Sequence, residues 1–455
     1  MFKFNTSIFK AYDIRGIYQQ DIDADLAFKI GQAFAVFMKT DAGKENLNLA
    51  VARDMRLSSP ILYDKVIEGI TAQGVDVTEF GLASTPTFYF GVGKLNLDGG
   101  IQVSASHNPS EYNGFKLVRR QAIPVSGDTG IMQIRDLVIS DQFTPAANHG
   151  SVAQYKNLLD DHVAYDLESV DVSRIKPLKV VVDAANAMGG PMFEKLFAKL
   201  PCELLKLNFD LDGTFPAHEA DPLKDANNRQ LQQKVLAMGA DLGIALDGDA
   251  DRIFFVTNEG VTVEPAIVRG ILSQIFLRDN PGAKICYDIR PGKITPDMIV
   301  EAGGTPIVTK VGHSLIKEKA REVGAVFAGE SSGHFFVKMP FGFFEAPMIC
   351  ALKFLQEISE SGQTFSAYVK PLYRYSHSGE INFEVNDKGM VFQKLRDRYV
   401  GNLKYDFDGL SFEWDDWWFN VRPSNTENKV RLNLEAVSSE IMNEKVKEVS
   451  DLIQG

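Results

Sequence analysis

The sequence is poor in cysteine and has no excess of basic residues. Three of its 455 residues are cysteines, Cys202, Cys286 and Cys350, and no two of them form a C-x-x-C pair. This spacing argues against a disulfide framework and against a cysteine-based zinc site, and it favours a reducing compartment such as the cytoplasm. The formal net charge is −12, so general nucleic-acid binding, which needs a basic face, is not expected. A local basic pocket for a small anion is compatible with this charge.

Long apolar stretches are also missing. No apolar run is long enough to cross a bilayer, so we expect no membrane-spanning segment. The first residues, MFKFNTSIFKAYDIRG, mix polar and charged side chains with apolar ones and lack the apolar core of a signal peptide. With 45% hydrophobic and 24% charged residues, the chain has the composition of a folded protein, and its length predicts several domains. We expect a cytoplasmic enzyme or binding protein, either a monomer or a homodimer.

One order of elements occurs three times. Each copy begins with a short apolar run that ends in a polar turn containing Asp, and helical patterns follow the first two runs. These runs are residues 47–56, 178–190 and 283–292. Such runs alternating with helical patterns predict βα units in parallel or mixed sheets. The first part of the chain is therefore predicted to form three related α/β domains with mixed sheets.

Each copy also has a second apolar run that ends in a small polar loop. These runs are residues 98–109, 239–252 and 324–334. Ligands of open α/β sheets bind at the carboxyl ends of the strands. The three loops would present Ser106, then Asp247, Asp249 and Asp251, then Glu330 and Ser332. The alternative is that any large α/β protein contains similar strand ends.

The segment after residue 368 follows a different pattern. Residues 378–385 alternate as a strand, 394–400 are helical, 410–438 fit a strand, a loop and a strand, and 438–455 form an amphipathic helix. This order predicts a small α+β domain with a polar loop at 422–427. The predicted domains are residues 1–150, 151–256, 257–368 and 369–455.

Three aspartates alternate in DGDAD, directly after the apolar run LGIAL. Asp247, Asp249 and Asp251 can direct their carboxylates at one point, which suits a hard divalent cation. An EF-hand loop does not fit, because its sixth position would be Arg252 and its twelfth Asn258. Asp at the fifth position also disfavours the D-x-D-x-[TV] pattern of an aspartyl-phosphate phosphatase. The alternative interpretation is that this motif is an acidic turn exposed to solvent.

A second polar loop has the composition of a phosphate-binding site. In VRPSNTENKVR, Arg422, Ser424, Asn425 and Thr426 offer a guanidinium, two hydroxyls and an amide. Arginine forms bidentate hydrogen bonds with phosphate oxygens, although Ser, Asn and Thr clusters are also common in ordinary turns. The loop is not a Walker A sequence, so it predicts phosphate binding without a nucleotide.

A third loop, GESSGH, suits sugar hydroxyls. Glu330, Ser332 and His334 combine a hydrogen-bond acceptor, a donor and a group that can switch between the two roles. A single carboxylate in such a loop can also be purely structural. Upstream, His313 lies on a glycine-containing turn before a helix, and by itself this position indicates no role.

Ser106 stands beside His107 in SASHNP, which suggests a nucleophilic serine and its base. No hydrolase signature surrounds the pair. If the aspartate loop holds a cation that faces this loop, a phosphorylated Ser106 could complete the metal shell through a phosphate oxygen. Phosphoryl transfer depends mainly on positioning and electrostatic stabilisation. Lys116, Arg15 and Arg252 are then candidate cationic helpers, and His107 orients the loop.

These motifs together resemble one known family. SASHNP with YNGFK, then DGDADR, GESSGH and RPSNTE occur in the order and at the spacings of the α-D-phosphohexomutase superfamily, in particular its phosphomannomutase/phosphoglucomutase group. The resemblance extends from FKAYDIRG near the start into the last domain. It implies a heart-shaped enzyme with three related α/β domains and a fourth, α+β domain of the TATA-box-binding-protein-like class.

The resemblance also implies a reaction. The serine that matches Ser106 is phosphorylated and donates its phosphoryl group to a hexose monophosphate. The resulting hexose 1,6-bisphosphate reorients, and the serine takes back the other phosphoryl group. Mg²⁺ is held by the phosphoserine and by the residues that match Asp247, Asp249 and Asp251.

The same resemblance implies roles for the remaining motif residues. Arg252 matches a residue at the reacting end of the substrate, and Glu330 and Ser332 match residues that hold the sugar hydroxyls. The residues that match the loop gripping the non-reacting phosphate are Arg422, Ser424, Asn425 and Thr426. Further active-site positions are matched by Tyr12, Arg15, Lys116, His313 and His334, without an assignment of general acid and base.

The chain departs from the family pattern at several positions. Phe344, Glu345 and Ala346 stand where the family commonly has D-D-G, and Asn428 stands where it has Pro. Arg290 replaces a substrate-binding Lys, which keeps the charge and changes its geometry. None of these changes removes the serine, the metal ligands or the phosphate loop, so we expect activity, with the preference among sugars left open.

The leading hypothesis is a Mg²⁺-dependent phosphohexomutase that interconverts mannose 6-phosphate and mannose 1-phosphate, and also the glucose pair. Phosphoglucosamine mutase is a competing hypothesis that SNTE, in place of S-G-T-E, disfavours. A catalytically silent sugar-phosphate-binding relative and a metal-dependent phosphatase are two further hypotheses. Two separate phosphate-handling motifs favour a substrate that is phosphorylated at both ends.

Overall fold

A computed structural model of the protein describes residues 4–290, 292–423 and 428–455. The chain forms two compact units. The first extends to Val263 and includes Ser332–Ser366, and the second comprises Glu264–Ser331 and Ala367–Gly455. The serine and aspartate loops therefore belong to the first unit, and Arg422 belongs to the second.

Helices and strands alternate along most of the chain. In the described ranges the helices are α1 (Ala24–Ala42), α2 (Ser59–Ala72), α3 (Thr85–Lys94), α4 (Met132–Ser140), α5 (Leu158–Leu167), α6 (Gly189–Phe197), α7 (Asp225–Met238), α8 (Pro265–Asp279), α9 (Ile294–Glu301), α10 (His313–Val323), α11 (Pro347–Ser361), α12 (Phe365–Val369), α13 (Lys388–Arg398) and α14 (Ser439–Gln454). The strands are β1 (Ile14–Ile17), β2 (Asn48–Arg53), β3 (Asp76–Leu82), β4 (Gly99–Val103), β5 (Tyr112–Arg119), β6 (Ile123–Pro124), β7 (Val152–Gln154), β8 (Lys179–Asp183), β9 (Glu203–Leu207), β10 (Leu242–Leu246), β11 (Ile253–Thr257), β12 (Lys284–Asp288), β13 (Thr305–Thr309), β14 (Phe327–Gly329), β15 (Phe335–Met339), β16 (Gly342–Glu345), β17 (Ser376–Glu384), β18 (Leu403–Tyr405), β19 (Leu410–Glu413), β20 (Trp417–Pro423) and β21 (Lys429–Ala436). None of the helices in this part of the chain is both long and apolar enough to cross a membrane.

The first unit contains a seven-stranded mixed sheet. Its strands lie in the order β1-β5-β4-β2-β3-β7, with β6 beside β5. β4, β2 and β3 pair in parallel, whereas β1 with β5 and β5 with β4 are antiparallel. The parallel strands are buried on both faces, which explains the continuous apolar sequence of residues 49–52 in β2. β7 extends this sheet to residue 154, beyond the boundary expected at residue 150.

Polar caps set the ends of the helices that surround this sheet. α1 begins after Asp23, whose carboxylate accepts the N–H of Leu26 at 2.8 Å. It ends at Gly43, which takes the left-handed conformation with φ 64°. α3 begins after Ser84, whose hydroxyl accepts the N–H of Thr87 at 3.2 Å. Each cap satisfies a backbone group that the first or last turn of a helix would otherwise leave without a partner.

A second, four-stranded sheet in the same unit carries the aspartate loop. Its order is β11-β10-β8-β9, and β10 pairs in parallel with β8 and antiparallel with β11. Every residue of β10 is buried, and the strand ends at Leu246, directly before Asp247. In the first sheet, β4 likewise ends at Val103, shortly before Ser106. The predicted positions of both loops after buried strands are therefore confirmed.

In the second unit, a three-stranded parallel sheet has the order β13-β12-β14. α9 and α10 pack against its strands. β14 ends at Gly329, directly before Glu330, as predicted. The antiparallel hairpin of β15 and β16 that follows in the chain belongs to the first unit.

An antiparallel sheet in the order β17-β21-β20-β19-β18, with α13 and α14, forms the C-terminal part of the second unit. Its presence confirms the expected α+β domain. The prediction of a strand, a loop and a strand over residues 410–438 is wrong, because this segment contains three strands. The extra turn is closed by a hydrogen bond from Trp414 N–H to Trp417 O at 2.9 Å, and the two indole rings stack at 4.0 Å. The sequence pattern did not indicate this turn, because aromatic residues stand on both sides of it and made the segment read as one strand.

A histidine–carboxylate pair makes the stability of the second sheet depend on pH. His218 Nε2 lies 3.0 Å from Asp183 Oδ2, at the end of β8. Burial acts to lower the pKa of His218, but the hydrogen bond and charge of Asp183 outweigh it and raise the pKa above 6.5. The protonated pair therefore stabilises the protein below about pH 6.5, and this stabilisation is lost as the pH rises through the folded-state pKa.

We expect His218→Gln to lower the free energy of unfolding by about 1 kcal/mol at pH 6, as is usual for one partly exposed charged hydrogen bond. The loss should shrink as the pH is raised to 8.5, because the stabilisation disappears as the wild-type imidazole gives up its proton. Thermal unfolding at both pH values measures it. His149→Gln is the control, and an equal loss at both pH values would contradict the assignment.

Candidate active site

Ser106 has a strained backbone at the centre of its loop. Its φ is +48°, in the left-handed region, and its side chain is buried. Its Oγ donates to Asp247 Oδ2 at 2.8 Å, and its N–H donates to Ser104 Oγ at 3.0 Å. A non-glycine residue in this conformation costs on the order of 1–3 kcal/mol and persists only where the surroundings enforce it. The loop is therefore held in one geometry, with the hydroxyl against the aspartate loop.

Arg56 enforces that geometry through the backbone. This fully buried guanidinium donates to four backbone carbonyls of the serine loop. The acceptors are Ser106 O at 2.8 Å, Asn108 O at 2.5 Å, Pro109 O at 2.6 Å and Tyr112 O at 3.0 Å. Its charge is balanced by Asp54, whose Oδ2 lies 3.3 Å from Arg56 Nε. The sequence prediction missed Arg56, because nothing in RDMR shows that its guanidinium reaches a loop 50 residues away.

The aspartate loop approaches the serine loop closely because one of its residues is glycine. A Cβ on Gly248 would lie 2.3 Å from Ser106 O, which is too close for any side chain. Within the loop, Asp247 Oδ1 accepts the N–H of Asp251 at 3.0 Å and that of Arg252 at 3.2 Å. These bonds turn the backbone so that alternate carboxylates face one point. The motif therefore needs its glycine as much as its aspartates.

Three carboxylate oxygens, one each from Asp247, Asp249 and Asp251, lie within 4.8 Å of one another. Lys116 Nζ donates to Asp249 Oδ2 at 2.5 Å and to Asp251 Oδ2 at 2.6 Å. Thr85 Oγ1 also donates to Asp249 Oδ2, at 2.5 Å. Sequence reasoning missed Thr85, which lies in the first turn of α3. The cluster is buried and is surrounded by groups that orient it.

These contacts shift the ionisation of the cluster. Burial acts to lower the pKa of Lys116, but the charges of Asp249 and Asp251 outweigh it and raise that pKa well above its usual range. Burial and the charges of Asp251 and Asp249 raise the pKa of Asp247. Burial also acts to raise the pKa of Asp251, but Lys116 and His334 outweigh it and lower that pKa. The site therefore concentrates negative charge that a bound cation would neutralise.

The donor set fits a hard divalent cation. Three carboxylates provide oxygen ligands, and Asp249 Oδ1 is buried without a hydrogen-bond partner among the described residues. Such an oxygen is costly to bury unless it binds a cation or a donor. The Ser106 hydroxyl lies beside Asp247. Asp247, Asp249 and Asp251 are therefore a candidate metal centre next to the serine.

Arg15 joins the serine loop from β1. Its guanidinium donates to Asp13 Oδ2 at 2.6 Å, to Asn108 Oδ1 at 2.6 Å and to Ala105 O at 3.3 Å. Burial acts to lower the pKa of Arg15, but the charges of Asp13 and Asp249 outweigh it and raise that pKa. Tyr12 is half-buried in the bend before this strand. The predicted cationic helpers Arg15 and Lys116 therefore both lie at the serine and aspartate loops.

His107 and His334 lie beside the same loops. His107 Nδ1 is 3.2 Å from Ser106 Oγ, and burial together with the charges of Arg252 and Arg15 lowers the pKa of His107 far below its usual value. His334 Nε2 lies 3.2 Å from Asp251 Oδ1 and 3.4 Å from Arg252 Nε. The Ser332 hydroxyl is 2.9 Å from His334 Nδ1. The structure thus brings Ser332, His334 and Arg252 to the aspartate loop.

A separate group of candidate residues lies in the second unit. Arg290 Nε donates to Asp288 Oδ2 at 2.8 Å, and Arg290 Nη2 is 3.7 Å from Glu330 Oε1. Asp288 is buried and also accepts from Arg269 Nη1 at 3.0 Å. Burial acts to raise the pKa of Asp288, but Arg290 and Arg269 outweigh it and lower that pKa. Asp288 was not predicted as a site residue, and it orients Arg290 beside Glu330.

Glu330 also fixes the turn before His313. Its Oε1 accepts the N–H of Gly312 at 2.8 Å, and α10 begins at the next residue, His313. Glu330 is buried and its neighbouring loops come from β12 and β13. Glu330 therefore bonds to the residue directly before His313, another predicted site residue that is distant from it in sequence.

Arg422 lies at the end of β20, in the C-terminal sheet. Its Nη2 donates to Glu380 Oε2 at 3.0 Å, and Glu380 also lies near Arg431 at 3.5 Å. Glu380 is one of the charges that raise the pKa of Arg290. The other predicted phosphate ligands, Ser424, Asn425 and Thr426, lie outside the described residues.

Comparison with known proteins decides the family. The four phosphoglucomutase/phosphomannomutase domain families match in order along the chain: α/β/α domain I over residues 6–144, domain II over 159–260, domain III over 267–375 and the C-terminal domain over 380–452. The chain belongs to the phosphoglucomutase/phosphomannomutase family. The predicted resemblance is thereby confirmed, and so is the predicted fold class.

Individual relatives agree with this phosphoglucomutase/phosphomannomutase assignment. A phosphohexose mutase of Xanthomonas campestris is 38% identical over 98% of this chain and 99% of that protein. A phosphomannomutase of Escherichia coli K12 is 36% identical over 94% of each chain. The solved structure of a phosphoglucomutase/phosphomannomutase family protein from Burkholderia thailandensis covers 99% of this chain, and 98% of that chain is covered in return, with a TM-score of 0.89 and 35% identity. The chain is thus similar to phosphohexomutases along its whole length.

We expect Gly248→Ala to inactivate the enzyme, because the added Cβ would overlap Ser106 O and separate the serine loop from the aspartate loop. Sugar-phosphate turnover and thermal unfolding measure the effect. Gly127→Ala is the matched control, since its Cβ would meet no atom closer than 3.4 Å. Wild-type turnover by Gly248→Ala would show that the close approach of the two loops is dispensable.

Proposed function

We propose that this phosphohexomutase uses Ser106 as its phosphoryl carrier. The contact that carries the proposal is the hydrogen bond from Ser106 Oγ to Asp247 Oδ2, at 2.8 Å, inside a cluster of three carboxylates. Burial and the charges of Arg252 and Arg15 lower the pKa of His107, the imidazole beside the hydroxyl, which makes it a weak base for activating a bare serine. The carboxylate oxygens around the hydroxyl support a phosphorylated serine that shares a cation with them.

In the proposed reaction, the bond between Ser106 Oγ and phosphorus breaks as a hydroxyl oxygen of the hexose monophosphate bonds to the phosphorus. The hydroxyl proton passes to a base, and the leaving Ser106 Oγ takes up a proton. In the second half-reaction Ser106 Oγ loses this proton as it takes the other phosphoryl group, and the sugar oxygen that is released gains a proton. The bound intermediate is a hexose 1,6-bisphosphate, which reorients between the two half-reactions. Each half-reaction moves one phosphoryl group, so the overall reaction is an isomerisation.

The chain's own charged groups stabilise this transfer. Lys116 bonds to Asp249 and Asp251 and offsets part of their negative charge, and Arg15 lies at the carbonyl of Ala105, one residue from the carrier. We propose Mg²⁺ as the ion held by the three aspartates and the phosphorylated Ser106, because hard oxygen ligands suit it. When bound, this ion would neutralise charge on the moving phosphoryl group.

The remaining candidate residues bind the substrate in this proposal. Glu330, Ser332 and Arg290 hold sugar hydroxyls, with Tyr12, Arg252 and His334 near the reacting end. His313 follows the turn fixed by Glu330 and is a candidate for proton transfer. Arg422, with Ser424, Asn425 and Thr426, grips the phosphate that does not react.

Mannose phosphates are the proposed main substrates, and glucose phosphates the second pair. Curated relatives from Escherichia coli and Salmonella montevideo, 35–36% identical to this chain, are phosphomannomutases. Phosphoglucosamine mutase is the alternative within the family.

The four matched segments support the proposed four domains. The gap at residues 144–159 includes the predicted boundary at 150, whereas the predicted boundaries at 256 and 368 lie shortly before the gaps at 260–267 and 375–380. The free cysteines Cys202, Cys286 and Cys350 support the proposed cytoplasmic location.

The test is a coupled assay of the purified protein with Mg²⁺ and a trace of hexose 1,6-bisphosphate. We expect turnover of mannose 1-phosphate and glucose 1-phosphate to their 6-phosphates, with glucosamine 1-phosphate turned over more slowly. EDTA should stop the reaction and Mg²⁺ should restore it. Fastest turnover of glucosamine 1-phosphate would favour the alternative, and release of inorganic phosphate would indicate a phosphatase.

Ser106→Ala should reduce mutase turnover to background, because the phosphoryl group has no carrier. Sugar-phosphate binding, measured by calorimetry, should remain. Ser110→Ala changes an exposed serine of the same loop and is the control. Turnover of the Ser106→Ala protein at the wild-type rate would refute the carrier role.

Arg422→Ala should raise KM for the hexose monophosphate about 10- to 100-fold, since one hydrogen bond to a charged group contributes about 1.5–3 kcal/mol. Steady-state kinetics at saturating Mg²⁺ measures it. Arg396→Ala, which removes an exposed arginine paired with Asp406, is the matched control. An unchanged KM in Arg422→Ala would show that this loop does not contribute to binding of the substrate.

A further inference from the structure

Two loops of the second unit that carry candidate site residues are each held by a carboxylate of the C-terminal sheet. The first carboxylate is that of Glu435, in β21. Its Oε2 accepts the N–H of Gly292 at 3.0 Å and that of Lys293 at 3.0 Å. The same oxygen accepts the indole N–H of Trp418 at 2.6 Å. A buried carboxylate oxygen with three donors is rigid, and here it ties the segment that follows Arg290 to β20 and β21.

The second carboxylate is that of Asp408, in the turn between β18 and β19. Its Oδ2 accepts the N–H of Val311 at 2.7 Å. The next residue, Gly312, donates its N–H to Glu330, and His313 follows. Asp408 has a φ of +51°, which Asn and Gly also tolerate. The turn before His313 is thus held between Glu330 on one side and the C-terminal sheet on the other.

The loop of Arg290 and the C-terminal sheet face each other across a cavity of about 300 Å³. One side is formed by residues that include Tyr287, Arg290 and Val308, and the other by residues that include Tyr405 and Trp418. Lys293 Nζ lies 5.6 Å from the centre of the Trp418 ring, so a cation–π contact adds to the hydrogen bonds of Glu435. Hydrogen bonds are more directional than this contact, and those of the two carboxylates therefore contribute to the alignment of the loops.

We infer that Glu435 and Asp408 are positioning residues that align the loops of Arg290 and His313 with the C-terminal sheet that bears Arg422. Glu435 acts through the Gly292–Lys293 backbone on Arg290, and Asp408 acts through Val311 on the turn before His313. The inference rests on the proposed function, because it assumes that Arg290 and His313 act on the sugar phosphate. It adds that the C-terminal domain sets the geometry of these residues as well as gripping a phosphate.

Amide hydrogen exchange tests the two contacts without reference to activity. Glu435→Gln keeps the side-chain shape and removes the charge that strengthens its hydrogen bonds. We expect faster exchange in a peptide that covers Gly292 and Lys293, with no change in one that covers Val311. Asp408→Asn should have the reverse effect. Unchanged exchange at both peptides in both variants would overturn the inference, even if the protein proves to be no mutase.

Kinetics tests whether the contacts matter for catalysis. We expect Glu435→Gln to lower kcat about 10-fold, because a small displacement of a catalytic group has a large effect on rate. KM for the phosphate-bearing substrate should change less than about threefold, since Arg422 is untouched. Asp406→Asn, an exposed aspartate in the same turn as Asp408, is the matched control and should leave kcat and KM at wild-type values.

A double-mutant cycle separates positioning from general destabilisation. If Glu435 acts through Arg290, Glu435→Gln combined with Arg290→Gln should be no slower than Arg290→Gln alone. The pair Asp408→Asn and His313→Gln should behave in the same way. Fully additive losses in both cycles would show that the carboxylates only stabilise the fold. Wild-type protein without mutase activity would instead contradict the proposed function and leave the exchange experiment to decide the contacts.

Discussion

The approach of the serine loop to the aspartate loop is the contact on which the first unit depends. Ser106 Oγ donates to Asp247 Oδ2 at 2.8 Å, and this distance is reached only because Gly248 has no side chain. Arg56 holds the serine loop by its backbone carbonyls and enforces the positive φ of Ser106. The strain at Ser106 and the buried charge of Arg56 are costs that a purely structural loop would avoid. They are explained by a hydroxyl that must stand at one place beside three carboxylates.

Charge compensation explains how that cluster can be buried. Three carboxylates would repel one another strongly in a low-dielectric interior. Lys116 bonds to two of these carboxylates, and the guanidinium of Arg15 places a second positive charge beside the serine loop. Asp249 Oδ1 is still left without a hydrogen-bond partner in the described part of the chain. The arrangement is thus incomplete as a salt-bridge network, and a cation bound to the three aspartates would complete it, as the proposed phosphoryl transfer requires.

In the second unit, buried carboxylates align the loops that carry the candidate site residues. Asp288 sets the direction of Arg290, and Glu330 fixes the turn before His313. Both arrangements use buried carboxylates that accept N–H groups, and hydrogen bonds of this kind are directional as well as strong. Glu435 does the same for the loop after Arg290, so the same kind of contact occurs at each of these three places. Directional bonds suit the proposed reaction, in which the bisphosphate binds in two orientations.

By itself, the sequence determined the fold class, the buried strands, the polar loops that follow them and the family, because apolar periodicity and motif order are local properties of the chain. It also identified Ser106 and the three aspartates as candidates, since their chemistry is visible in a few adjacent letters. It missed the turn at Trp414–Trp417, where aromatic residues on both sides made two strands look like one. Only the tertiary structure decided that Arg56 supports the serine loop and that Gly248 permits its approach. Those roles depend on contacts of Ser106 with residues 50 and 142 positions away. Such contacts are set by how the sheets and loops pack, which no local pattern records.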